Sequence, residues 1–193
     1  MRATKFMMMA LTGLLVGTKF GAAAPPTLTD TIKNCEACHD SNNEAVPRLE
    51  GQPIPYLATR IRSFGDLTRQ SPHAYVMFDV NSGLPDATVV AVAKYFSAKP
   101  PTEATVGVAL AAKGELLYRN GDGSKIVACQ GCHGANAEGG KAVPRLAGQH
   151  ATYLRAQLQD FSMRTRVHDT MNAHARDLSE EQIDAVVAYL AKD

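Results

Sequence analysis

The sequence predicts an all-α protein built from two copies of one domain. Three observations predict this. Apolar residues recur at helical spacing (Ile183, Val186, Val187 and Leu190 follow the 3, 4, 7 pattern of one helix face). No stretch alternates convincingly with period two. And most of the chain is written twice: C-x-x-C-H at 35–39 returns at 129–133, VPRLEGQ at 46–52 returns as VPRLAGQ at 143–149, and the segment from Met77 returns from Met171. The copies lie 94 residues apart at the first and last of these landmarks and 97 apart in the middle, because the second gains three residues after its histidine and loses three before its methionine. A repeat of this kind decides the architecture before residue propensities do.

The elements follow in chain order. Residues 1–23 read as a cleaved export signal: Arg2 and Lys5 give a positive start, Phe6 to Gly17 an apolar run, and Gly21 to Ala24 a small-residue cleavage region. The run is too short for a membrane span, which needs about 20 apolar residues. The first domain is expected at 24–99. Its opening helix is expected to be short or absent, with only Thr27 to Asn34 available. Tyr56 to Phe64 reads as a short helix, and Val89, Val92, Ala93 and Phe96 mark the face of a longer one. Lys99-Pro100-Pro101-Thr102 cannot continue a helix and sets the boundary. In the second domain, 102–193, Val106 to Arg119 reads as an opening helix and Tyr153 to Phe161 as the counterpart of Tyr56 to Phe64. The final helix is introduced by a Ser179/Gln182 capping box and a Leu178–Ile183 staple.

Composition narrows the function. Of 193 residues, 45% are hydrophobic and 20% charged, with net charge +1, which falls to −2 once residues 1–23 are removed. That excludes a bulk-charge nucleic-acid binder and a disordered tail. An exported, soluble chain in the periplasm is expected, with at most peripheral membrane association.

The chemistry lies in the repeated C-x-x-C-H. Two thiols three residues apart on a helical turn, Cys35 and Cys38 or Cys129 and Cys132, can each form a thioether to a porphyrin vinyl group, and the next residue, His39 or His133, then faces the iron. One such motif alone also admits a disulfide or a zinc site. Two copies followed by the same downstream strings, with no other cysteine in the chain, favour two covalently bound haem c groups. For the sixth iron ligand the sequence offers Met77 and Met171, each 38 residues after its histidine. Both can also be core filler. Met163 has no counterpart and reads as packing. His73, His168 and His174 lie near the methionines but have no aligned histidine in the other copy, and leave bis-histidine ligation as the competing arrangement.

Two C-x-x-C-H domains, each with a P-R-L-x-G-Q-x-x-x-Y-L string and a methionine before the last helix, resemble the dihaem cytochrome c4 family over essentially the whole mature chain. The resemblance implies two class I cytochrome c domains related by a pseudo-twofold axis with their haem edges close. It implies that the carbonyls of Pro47 and Pro144 accept from the Nδ1–H of His39 and His133, with Arg48 and Arg145 as candidates for propionate contacts or as ordinary surface arginines. Asp40 departs from the glycine usual after the histidine, so the two sites are not expected to be identical.

The expected function is electron carriage rather than catalysis, taking single electrons from a quinol-oxidising complex and passing them to a terminal oxidase. Two alternatives stand: the dihaem subunit of a flavocytochrome c sulfide dehydrogenase-like complex, and a haem enzyme with one open iron, such as a thiosulfate dehydrogenase or peroxidase. No phosphate loop or nucleophile elbow is present, and Gly121 to Ser124 reads as a loop. Arg60, Arg62 and Arg69, with Arg155, Arg164 and Arg166, read as solvated helix faces or as docking patches.

Overall fold

The computed structural model describes residues 26–191 except 41–42, 68, 70, 72–73 and 104–108. The export signal, His73 and the first residues of the expected helix from Val106 therefore lie outside the described residues. The first half holds α1 (Leu28–His39), α2 (Ile54–Gly65), α3 (Tyr75–Asn81) and α4 (Asp86–Ala98). The second holds α5 (Ala109–Asn120), α6 (Gln130–His133), α7 (Ala151–Ser162), α8 (Asp169–Ala175) and α9 (Glu180–Leu190). Among the described residues there is no strand, only isolated bridges such as Gly140 with Val143. The fold is all-α.

Each half has its own core, and the two cores use the same positions. In α4 the buried face is Val89, Val92, Ala93 and Phe96; in α9 it is Ile183, Val186, Val187 and Leu190, each 94 residues on. Leu57 of α2 joins the first cluster, and its counterpart Leu154 of α7 joins the second. Burying a side chain of this size contributes about 1.5–3 kcal/mol. At the start of α9, Ser179 accepts from the Gln182 N–H while the Gln182 side chain accepts from the Ser179 N–H, the expected capping box. Leu178 packs against the cluster that contains Ile183.

The halves differ at their start. In the second, α5 is a separate helix that crosses α9 at Gly114, where a Cβ would overlap the Ala185 carbonyl; a loop anchored by Asp122, whose Oδ1 accepts from the N–H groups of Ser124, Lys125 and Ile126, then leads to the four-residue α6. In the first half α1 is one continuous helix that starts at a Thr27/Asp30 capping box and runs through the cysteine motif to His39. The opening helix expected to be short or absent is thus fused to the motif helix.

The halves meet along the repeated P-R-L-x-G-Q strings. Gln52 donates to the Arg145 carbonyl at 2.8 Å and accepts from the Arg145 N–H at 3.0 Å. Gln149 donates to the Arg48 carbonyl at 3.0 Å and accepts from the Arg48 N–H at 2.8 Å. The segment after Lys99 runs along this junction. A Cβ at Gly51 would stand 2.6 Å from the Pro101 Cβ, and one at Gly148 would overlap the Thr102 carbonyl. Both glycines have positive φ (67° and 75°), and their N–H groups donate to the carbonyls of Phe96 and Leu190 in equivalent helices. Close approach and left-handed backbone together require glycine at both places.

Candidate functional site

In both halves the motif histidine ends a helix and is buried, His39 and His133 each at 7% exposure. The Nδ1 of His39 lies 2.6 Å from the Pro47 carbonyl, and the Nδ1 of His133 lies 3.0 Å from the Pro144 carbonyl. A carbonyl only accepts, so Nδ1 carries the proton and Nε2 keeps its lone pair. Burial pushes both imidazoles below the usual histidine range, against the opposing effect of the carbonyl bond, and so favours the neutral form that ligates metal.

The thiols repeat the same arrangement. Cys35 and Cys129 are half-buried, Cys38 and Cys132 exposed, and no disulfide links them. Burial raises the pKa of Cys35, reinforced by Glu36 and Cys38, and burial likewise raises that of Cys129. The methionines also occupy one register: Met77 is the third residue of α3 and Met171 the third of α8, both half-buried. A buried asparagine braces each short helix. Asn81 donates to the Met77 carbonyl at 2.6 Å, and Asn172 donates to the carbonyls of Phe161 and Arg166 at 2.7 and 2.8 Å.

His168, one of the competing ligands, serves as the N-cap of α8: its Nδ1 accepts from the Met171 N–H at 3.4 Å. A neutral ring that accepts at Nδ1 carries its proton on Nε2 and has no lone pair left for a metal. Met163, expected to be packing, is instead 65% exposed at the C-cap of α7, because the chain turns outward there through Arg164 at φ 60°.

The charged surroundings of the two motifs differ. Around the first, Lys99 pairs with Glu36 at 2.7 Å and lies 3.7 Å from Asp40, while the Tyr95 hydroxyl donates to Glu36 at 2.6 Å. Bonds from Lys99 and Tyr95 hold the Glu36 carboxyl below its ordinary range. The second motif has Gln130 and Gly134 at the matching positions; there the Tyr118 hydroxyl donates to the Gly134 carbonyl at 2.6 Å.

The arginines were the least legible part. Arg62 is exposed and pairs with Asp86, and Arg155 pairs with Glu180 and Asp184, as solvated faces do. Arg60, Arg69 and Arg166 instead turn into the junction. Arg166 is 6% exposed, and the Nε atoms of Arg60 and Arg69 are buried without a hydrogen-bond partner. None of the ion pairs among the described residues involves these three. Arg48 and Arg145 also serve the junction: Arg48 donates to the Gly148 carbonyl at 2.8 Å and Arg145 to the Thr102 carbonyl at 3.4 Å. The cross-junction roles of Gln52 and Gln149 were missed as well; their signal was identity at the end of a duplicated string.

The family model for cytochrome c matches residues 111–192. Cytochrome c4 of Thiocapsa roseopersicina is 33% identical over 81% of this chain and 85% of its own length. The chain belongs to the cytochrome c4 family. Cytochrome c-552 of Acidithiobacillus ferridurans is 33% identical over 89% of this chain and 78% of its own, and the thiosulfate dehydrogenase electron acceptor of Thiomonas intermedia 37% identical over 88% and 81%. The cytochrome c4 structure of Acidithiobacillus ferrooxidans superposes with a TM-score of 0.77 at 33% identity, covering 82% of this chain and 98% of that one.

The chain is therefore a c-type cytochrome of tandem cytochrome c domains and an electron carrier, and its family implies covalently bound haem c. The residues present fit that group. Each half offers a neutral imidazole with its Nε2 free to ligate and a thiol pair on one helical turn. Haem also carries carboxylates, which suit the buried Arg166 and the half-buried Arg60 and Arg69 at the junction, none of which takes part in an ion pair among the described residues.

Proposed function

We propose that the chain is a periplasmic dihaem electron carrier, exported by residues 1–23 and folded as domains 24–99 and 102–193. Cys35 with Cys38 and Cys129 with Cys132 each anchor one haem through thioethers. His39 and Met77 ligate the first iron, His133 and Met171 the second. The observation that carries this reading is the matched pair of bonds from the histidines to Pro47 and Pro144, each of which fixes a buried imidazole with Nε2 available. The haem supplies a one-electron couple when bound. His39 with Met77 and His133 with Met171 would hold the two irons, would leave no position there for substrate, and would set the polarity around them.

The donor in this reading is a quinol-oxidising complex and the acceptor a terminal oxidase. A second donor has specific support, since two relatives are named thiosulfate dehydrogenase electron acceptor. A thiosulfate dehydrogenase from Marichromatium purpuratum also superposes with a TM-score of 0.68 at 33% identity, covering 81% of this chain and 36% of that one. Among the described residues no helix is long and apolar enough to cross a membrane.

Expression in a host with an export and haem-attachment system tests the assignment through intact mass and the pyridine haemochrome spectrum. Two haems per chain and an N-terminus at Ala24 are expected. Changing both cysteines of one motif to serine should halve the haem content. One haem, or none, in the unmodified protein would contradict the reading.

A further inference from the structure

The short helix α3 divides into two faces. Met77, Phe78 and Asn81, with Ala74 at the N-cap, follow the 3, 4, 7 spacing and are buried or half-buried. Tyr75, Val76, Asp79 and Val80 face outward, and three of those four are apolar. Tyr75 and Val76 are 70% and 69% exposed, Val80 43%. Leu67, in the turn after α2, adds a fourth apolar side chain at 44% exposure and lines one small hollow together with Tyr75. Met77 lies on the inward face, so an iron that it ligates is on the other side of α3 from this surface.

Nothing in the fold asks for apolar residues there. The matched positions of the second half are Arg164, Asp169, Thr170 and His174, and α8 carries Met171 in the same register among those polar residues. The second half exposes Met163 and Val167 in the turn before α8, with Arg164 between them. Leu67 is unfavourable twice over, because its backbone is left-handed at φ 58° and its side chain stands partly in water. Contiguous apolar side chains kept exposed in this way mark interaction surfaces.

Size and chemistry narrow the occupant. Four such side chains present on the order of a few hundred Å², short of the roughly 800 Å² per partner that a stable complex buries, which suits a transient electron-transfer encounter and not a dimer or a fixed subunit. Asp79 is the one charge on the face, so recognition runs through apolar contact and not through opposite charge. We propose that Leu67, Tyr75, Val76 and Val80 form the docking face for a redox donor whose own contact surface is apolar and uncharged, namely the thiosulfate dehydrogenase supported above. This rests on the carrier reading given under the proposed function. Each encounter passes one electron from the reduced donor to this chain, with no bond made or broken, and leaves the donor one helix away from Met77.

Stopped-flow reduction of the oxidised, haem-loaded protein tests this, using the thiosulfate dehydrogenase that serves the Thiomonas intermedia relative, with thiosulfate as reductant. The second-order rate should change less than about twofold between low and physiological salt, since no charge pair forms. Tyr75→Glu and Val76→Glu should each lower it about tenfold or more. Leu67→Glu carries the same expectation from outside α3, and holds the test open if a change beside Met77 disturbs folding. All three should keep wild-type midpoint potentials and visible spectra. Asp79→Asn should keep the wild-type rate, as should Thr170→Glu at the position that matches Val76. Wild-type rates in Tyr75→Glu and Leu67→Glu would overturn the proposal, as would a steep loss of rate with salt, an equal loss in Thr170→Glu, or a wild-type protein that this dehydrogenase does not reduce. So would losses that come only with shifted midpoints, because Met77 and not docking would then be disturbed. Wild-type protein without a haemochrome spectrum would mean instead that the carrier reading is wrong.

Discussion

Gln52 and Gln149 each hold the backbone of the other half, Gln52 through both the N–H and the carbonyl of Arg145 and Gln149 through those of Arg48. Both side chains are buried, at 6% and 5% exposure. The arginines they clasp directly follow Pro47 and Pro144, whose carbonyls orient the motif histidines. The same short string therefore joins the halves and sets the imidazoles, which couples assembly of the junction to the geometry of each site.

Replacing either glutamine by alanine leaves a backbone donor and acceptor of the opposite arginine without partners. A buried group left unsatisfied costs about 1–3 kcal/mol. Gln52→Ala and Gln149→Ala should each lose stability of that order in denaturant unfolding, Gln149→Ala the more, because the Gln149 Oε1 also accepts from the buried His150 N–H at 3.0 Å. A larger loss in Gln52→Ala would contradict this.

Glycines at matched motif positions should respond very differently. Gly148→Ala forces a side chain at φ 75° onto the Thr102 carbonyl and should cost about 2 kcal/mol or more. Gly131 in α6 has open space around its Cβ position, and the first half already carries Ala37 there. Gly131→Ala should be neutral or stabilise by up to about 1 kcal/mol. Thermal unfolding of the two variants checks both expectations.

Much of this was legible in the sequence because it depends on periodicity and repetition. The buried faces of α4 and α9, the Ser179/Gln182 cap and the duplication itself need only local pattern. Partners about 100 residues away are a different matter: nothing along α2 and the turn after it shows that Arg60 and Arg69 turn toward Arg166 while Arg62 turns to Asp86. Met163 misled because an apolar side chain suggests burial, whereas its place at a helix end, before a left-handed residue, turns it outward. The continuous α1 is not legible because the second copy, where a loop separates α5 from α6, gives no sign that an opening helix can run into the motif.

Removing the Tyr118 hydroxyl tests the local support of the second motif. Tyr118 is fully buried, and its hydroxyl is bonded to the Gly134 carbonyl beside His133. Tyr118→Phe should lower stability by about 1 kcal/mol and leave haem attachment at the first motif unchanged. Unfolding followed together with haem content separates the two effects.

Opening the axial positions tests the methionine assignment one site at a time. Met77→Ala and Met171→Ala should each allow the reduced protein to bind carbon monoxide at one haem and lower that haem's potential, since thioether ligation favours the reduced iron. Visible spectra and a redox titration read both. If neither variant gains the gas, these methionines are core residues.

The central claim is that both irons are closed by protein ligands, so the protein carries electrons and does not process substrate. The most direct measurement is a carbon monoxide challenge of the dithionite-reduced, fully haem-loaded wild-type protein, followed by visible spectroscopy. The account predicts unchanged spectra, with both irons held by histidine and methionine. Rapid binding at either haem would contradict it and would mark that iron as open to a substrate.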